Sequence, residues 1–220
     1  MRVQFVLISE GPSDNGLVSH LEALCVHIGA DEAAGVAFDR QRLPGPIGSK
    51  VAEKLRAAMI LEPRANLFFI HRDADAPDPE PRYAEIEQAV QHCALKQAWV
   101  AVVPVQETEA WLLLDTDAIR KVAGKLRGRQ MLGLPSVFTV EATKNPKELL
   151  QNAIVIAGDE TGRRLEKLKR DFPTHRQSLL QELSVNGPQR DIPSWQRMVE
   201  DMRLALEAMA QADSGTKAGT

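Results

Sequence analysis

The chain of 220 residues has little cysteine, few aromatic rings and no long apolar run. Its 2 cysteines, Cys25 and Cys93, fall on separate expected helices. Neither stands at a metal-type Cys/His spacing, and His20, His27, His92 and His175 show no ligand spacing either, so no zinc motif exists. Both cysteines read as small buried apolar residues, which fits a reducing cytoplasm. The apolar stretch Trp99–Val105 has only the length of a strand, so no membrane-spanning helix is expected. No basic segment followed by an apolar one opens the chain, so no signal peptide is expected. There is no internal repeat.

What is present is ordinary for a globular protein, with 44% hydrophobic and 26% charged residues. A chain of this length can bury one core, or one core with a smaller appended region. The formal net charge of -3 hides an asymmetry. Residues 1–117 hold 10 Lys and Arg against 18 Asp and Glu, whereas residues 118–190 hold 14 against 7. The second segment is either a set of solvated helix faces or a phosphate-binding surface. The run Arg163-Arg164-Leu165-Glu166-Lys167-Leu168-Lys169-Arg170 reads as a solvated face.

The hydrophobic pattern predicts strands at Arg2–Ile8, Gly35–Arg40, Asn66–Ile70 and Trp99–Val105. Helices are predicted between them: one capped by Ser13, one capped by Ser49 and one over Tyr83–Ala94. Runs that are apolar on both faces, such as Val3-Gln4-Phe5-Val6-Leu7-Ile8, suit central parallel strands. The βαβαβαβ order implies an α/β fold with a doubly wound, mainly parallel sheet over 1–117. A mostly helical extension is expected over 118–213, with helix starts at Asn145-Pro146 and Ile192-Pro193. A disordered tail is expected over 214–220.

Acidic residues follow three of the four strands. The first strand runs into Ser9-Glu10-Gly11-Pro12-Ser13-Asp14, the third into His71-Arg72-Asp73-Ala74-Asp75, and the fourth into Gln106-Glu107-Thr108-Glu109. Carboxyl ends of parallel strands share one edge of the sheet, where ligands bind. Carboxylates pushed together repel unless a cation joins them, and oxygen sets of this kind suit Mg²⁺ or Mn²⁺. Two such ions about 4 Å apart can activate water and stabilise the leaving oxygen of a phosphodiester. The plainer alternatives are turn acids for Asp73 and Asp75, and helix-dipole residues for Glu107 and Glu109. Asp115 and Asp117 read as caps, and Trp111, Leu112 and Leu113 as core.

A strand ending in Glu-Gly, a helix, and a later strand ending in Asp-x-Asp resemble the TOPRIM domains. The version here is similar to small stand-alone TOPRIM-like proteins that accompany AAA/SMC-type ATPases in bacterial defence loci. The resemblance rests on Ser9-Glu10-Gly11 with Asp14, on His71-Arg72-Asp73-Ala74-Asp75, on Gln106-Glu107-Thr108-Glu109-Ala110-Trp111-Leu112-Leu113, and on Asn145-Pro146-Lys147-Glu148-Leu149. It implies metal ligands at Glu10, Asp14, Asp73, Asp75 and one of Glu107 or Glu109. It also implies a transition-state lysine, Lys144 or Lys147, with Lys147 preferred. His71 departs from the Ser or Asp commoner in relatives.

The resemblance implies a metal-dependent nuclease of nucleic acid, DNA before RNA, working with an ATPase partner. The alternative is a non-catalytic metal- or nucleotide-binding subunit. A topoisomerase is disfavoured because the only tyrosine, Tyr83, opens an expected helix after a Pro-rich connector. A receiver-like protein is disfavoured because the first strand ends in Glu10 alone and no lysine ends the last strand.

Overall fold

The computed structural model describes residues 1–217, and for 213–217 the backbone only. The described chain forms two compact units built from interleaved segments. The first comprises Met1–Arg72, Glu80–Val103 and the chain from Arg197 onward; the second comprises Asp73–Pro79 and Pro104–Gln196.

The first unit is an α/β sandwich around a parallel sheet. In β1 (Arg2–Ile8), Val3, Phe5, Val6, Leu7 and Ile8 are buried. A strand apolar on both faces needs a neighbour on each side. β1 accordingly lies between β2 (Glu32–Ala37) and β3 (Leu67–His71), parallel to both. β3 is buried at all of its positions and pairs in parallel with β4 (Ala98–Val102). The order β2-β1-β3-β4 means that the chain steps one way from β1 to β2 and the other way to β3 and β4. Right-handed crossovers then put α1 (Leu17–Ile28) on one face, and α2 (Val51–Leu61) and α3 (Glu80–Cys93) on the other. α2 and α3 pack together, as this winding requires. The expected doubly wound parallel α/β fold is the fold observed.

The element limits differ from the expected ones for identifiable reasons. β2 begins at Glu32, three residues before its expected start, because Ala33 and Ala34 carry no β-branched signal. Its small residues matter, since a Cβ added to Gly35 would fall 2.1 Å from the Phe5 ring. That ring also meets Phe69 edge-on at 5.0 Å. β4 stops at Val102 because Pro104, two residues on, has no N–H for the ladder. Ser13 does not cap α1. Residues Pro12–Asp14 form a 3-10 turn, Ser13 Oγ donates to Asp14 Oδ2 at 3.3 Å, and α1 starts after Gly16. Ser49 is likewise replaced as cap by Lys50, whose N–H donates to Glu53 Oε2 at 3.2 Å. α3 starts at Glu80 because Pro81 is tolerated in a first helical turn. Cys25 is buried, and Cys93 is half-buried with its Sγ donating to Ala52 O at 3.3 Å.

The second unit is helical: α4 (Glu109–Leu112), α5 (Thr116–Val122), α6 (Pro146–Gly158), α7 (Gly162–Arg170) and α8 (Phe172–Gln181). Asp115 caps α5 as expected, accepting from Ala118 N at 2.9 Å. Trp111 is core, also as expected. It meets Trp195 edge-on at 4.6 Å and donates through Nε1 to Ser194 Oγ at 3.0 Å. α7 has no buried residue, so its basic run is a solvated face. α9 spans Pro193–Lys217 and takes in the first part of the expected tail, while residues 218–220 lie outside the described residues. No described helix is long and apolar enough to cross a membrane.

Candidate functional site

In the first unit, β1 delivers Ser9 and Glu10 to its carboxyl end, and the loop turns at once through Gly11 and Pro12. Ser9 Oγ donates to Gly11 O at 2.8 Å, which holds the turn closed. Glu10 is half-exposed. Its Oε1 lies 3.0 Å from Arg72 Nε, and Arg72 Nη2 lies 3.6 Å from Glu85 Oε2. Arg72 therefore balances the Glu10 charge and ties the β1 loop to α3.

Asp14 is buried, and its Oδ2 lies 4.0 Å from Nδ1 of His71, which is only 1% exposed. His71, the last residue of β3, is thus packed inside the unit rather than displayed at its rim. Lys54 reaches the same loop from α2. Its Nζ donates to the carbonyl oxygens of Ser9, at 2.9 Å, and Glu10, at 2.8 Å. Burial pushes the Lys54 ammonium below its ordinary 10.5, while the Glu10 charge pulls it back up.

The second unit holds the remaining acids. Asp73 accepts two bonds on Oδ1, from the backbone N–H and the hydroxyl of Thr108, each 2.8 Å long. Asp75 is exposed and takes a left-handed backbone, φ 54°, as does Gln106 at φ 64°. Their segments are bonded in both directions, Asp75 N to Gln106 O at 2.8 Å and Gln106 N to Ala76 O at 3.3 Å.

Glu107 and Glu109 part company although they are two residues apart. Glu107 Oε2 accepts from Lys147 N at 3.1 Å, in the first turn of α6. It therefore satisfies one of the orphan donors of that helix and favours its dipole. The Asn145-Pro146-Lys147 segment presents this donor: Asn145 is left-handed at φ 52°, and Pro146 opens the helix. Glu109 points into the unit, where its Oε1 accepts from Arg176 Nε at 2.7 Å. Lys144 is exposed, as is the side chain of Lys147.

All six acids are carboxylates, the hard oxygen donors that Mg²⁺ and Mn²⁺ take, so the donor chemistry fits such an ion. Among the described residues, no three His, Cys, Asp or Glu side chains are grouped to hold one. Glu10 and Asp14 share a loop, and Asp73 and Asp75 share a turn; Glu107 and Glu109 are engaged with α6 and α8. Two residues were missed by the sequence reading. Lys54 touches the Glu10 loop from 44 residues away and Arg176 meets Glu109 from 67 residues away, separations that no local pattern signals.

Comparison of the chain with models of protein families, with curated proteins and with solved structures finds no match.

Proposed function

We propose that this protein is a divalent-metal-dependent phosphodiesterase of nucleic acid, DNA before RNA, acting in bacterial defence or DNA processing beside an ATPase partner. One observation carries the reading. β1 and β3 are neighbours at the point where the strand order reverses, and each runs at its carboxyl end into acidic residues. Crevices at that point of a doubly wound sheet are where ligands bind.

The TOPRIM resemblance, not a grouping seen in the structure, names the residues that would hold the ion: Glu10 and Asp14 after β1, and Asp73 and Asp75 after β3. A bound Mg²⁺ or Mn²⁺ would supply positive charge at the scissile phosphate. The chain's own part is positional. Thr108 orients the Asp73 carboxylate through two bonds to one oxygen. Arg72 compensates Glu10. Lys54 fixes the β1 loop by its carbonyls and brings a cation to it. Lys54 is a better-placed candidate than Lys147 for a lysine acting beside Glu10, since the Lys147 contact to the acids is through its backbone.

A second reading, the nucleotide-binding form of the non-catalytic subunit, is favoured by another observation. Glu10, Asp14, Asp73, Glu107 and Glu109 each meet a protein donor, as they would in a protein that never loads an ion. Mn²⁺ titration by isothermal calorimetry separates the two. The leading reading expects saturable binding that Glu10→Gln weakens by about 10- to 100-fold. Absence of Mn²⁺ binding at millimolar concentration leaves the second reading.

A further inference from the structure

A cleft of about 410 Å³ opens at the carboxyl ends of β1 and β2, wholly within the first unit. That volume lies within the range of about 300–1,000 Å³ usual for small-molecule sites. Its walls are the Glu10-Gly11 turn, the Phe38-Asp39-Arg40 segment that follows β2, and Lys54 of α2. We propose that this cleft binds a nucleotide, with the phosphate between Lys54 and Arg40 and the base against Phe38. The assignment shares Lys54 with the phosphodiesterase reading but uses none of its acids for recognition, so a titration without metal tests it separately.

Several observations support it. Lys54 lines the cleft and spends two of its three N–H donors on the Ser9 and Glu10 carbonyls, which leaves one for a phosphate oxygen. Arg40 lines the cleft with no ion pair or hydrogen bond on its guanidinium among the described residues, so its fork can meet phosphate oxygens. Of the two carboxylates lining the cleft, Glu10 and Asp39, Glu10 is offset by Arg72 at 3.0 Å.

Gly11 supplies the approach. A Cβ built there would meet nothing within 4 Å, so the backbone lies bare to the cleft. Its φ of -154° is open to any residue, so the position does not need glycine for its own conformation. Phe38 is half-buried and is locked to β1 by its N–H, which donates to Leu7 O at 2.8 Å; it is the only aromatic residue of the lining. An aromatic ring on an anchored backbone offers a face on which a base can stack. Asp39 follows it, with Oδ1 accepting from Gln41 N at 2.9 Å, which leaves lone pairs on the carboxylate for a ribose hydroxyl.

The test is calorimetric titration of the full chain, in EDTA so that metal chemistry plays no part, with AMP, adenosine, and a trinucleotide with and without a 5′-phosphate. AMP or the 5′-phosphorylated trinucleotide should bind at least 10-fold more tightly than its unphosphorylated counterpart. Arg40→Gln and Gly11→Ala, neither of which disturbs a protein contact, should each weaken that binding by 10-fold or more; Lys54→Met should abolish it. Preference for AMP identifies a free nucleotide as the ligand, and preference for the trinucleotide identifies a strand end; either supports the site. Indifference to the phosphate, or unchanged affinity in both Arg40→Gln and Gly11→Ala, overturns it. Loss of nuclease activity in a separate assay would leave this result untouched, and so the two readings fail independently.

Discussion

Arg176 Nε donates to Glu109 Oε1 at 2.7 Å with both side chains almost fully buried, 7% and 3% exposed. A buried pair of this kind resists the loss of either partner far more than the loss of both, because one alone leaves an uncompensated charge. Arg176→Met and Glu109→Leu, made singly, should each cost about 3–5 kcal/mol in urea denaturation. The double variant should recover much of that loss. Equal and additive costs would show that the two side chains act separately.

Asp75 stands at φ 54°, where an L-residue other than glycine is strained. Asp75→Gly should therefore raise stability, or leave it unchanged, by up to about 1 kcal/mol. If the residue is retained for function, the same variant should lose Mn²⁺ affinity. A variant that is destabilised while keeping full Mn²⁺ affinity would assign Asp75 to structure alone.

Gly35 pairs with Phe5 across the β1–β2 ladder, and a Cβ added there would overlap the Phe5 ring. Gly35→Val should force the ring from its place between β2 and Phe69 and cost about 1–3 kcal/mol, although valine is the better strand former. A thermal melt of the variant decides between propensity and packing.

His175 sits on α8, half-buried. Burial holds its imidazole below the ordinary 6.5, with Asp171 pulling in the opposite direction. The unfolded chain then binds this proton first as the pH falls. The stabilising contribution is complete above pH 6.5 and is lost as the pH drops through the lowered folded value. His175→Gln should flatten that part of the stability profile between pH 7.5 and 5, as read from denaturant midpoints at each pH.

The sequence disclosed the parallel sheet through β1 and β3, whose two-sided apolar runs admit few other readings. It misplaced the start of β2, where Ala33 and Ala34 carry no strand signal, and it overran β4, where Pro104 breaks the ladder. It put Glu10 and Asp73 just past the ends of neighbouring strands, because strand ends are marked locally by turn residues. The partners of the acids were hidden. That Glu107 caps α6 and Glu109 pairs with Arg176 depends on helices 40 and 67 residues away. Lys54 was hidden for the same reason, since within its own helix it reads only as a polar residue beside Val51 and Leu55.

The central claim is best tested on Asp73, because Asp73→Asn keeps the oxygen that accepts from Thr108 while removing the charge. Supercoiled plasmid incubated with the full chain and Mn²⁺ should be nicked by the wild type. The variant should nick at least about 100-fold more slowly with an unchanged melting temperature. Equal nicking by both proteins, or none by the wild type in the presence of Mn²⁺, contradicts the account.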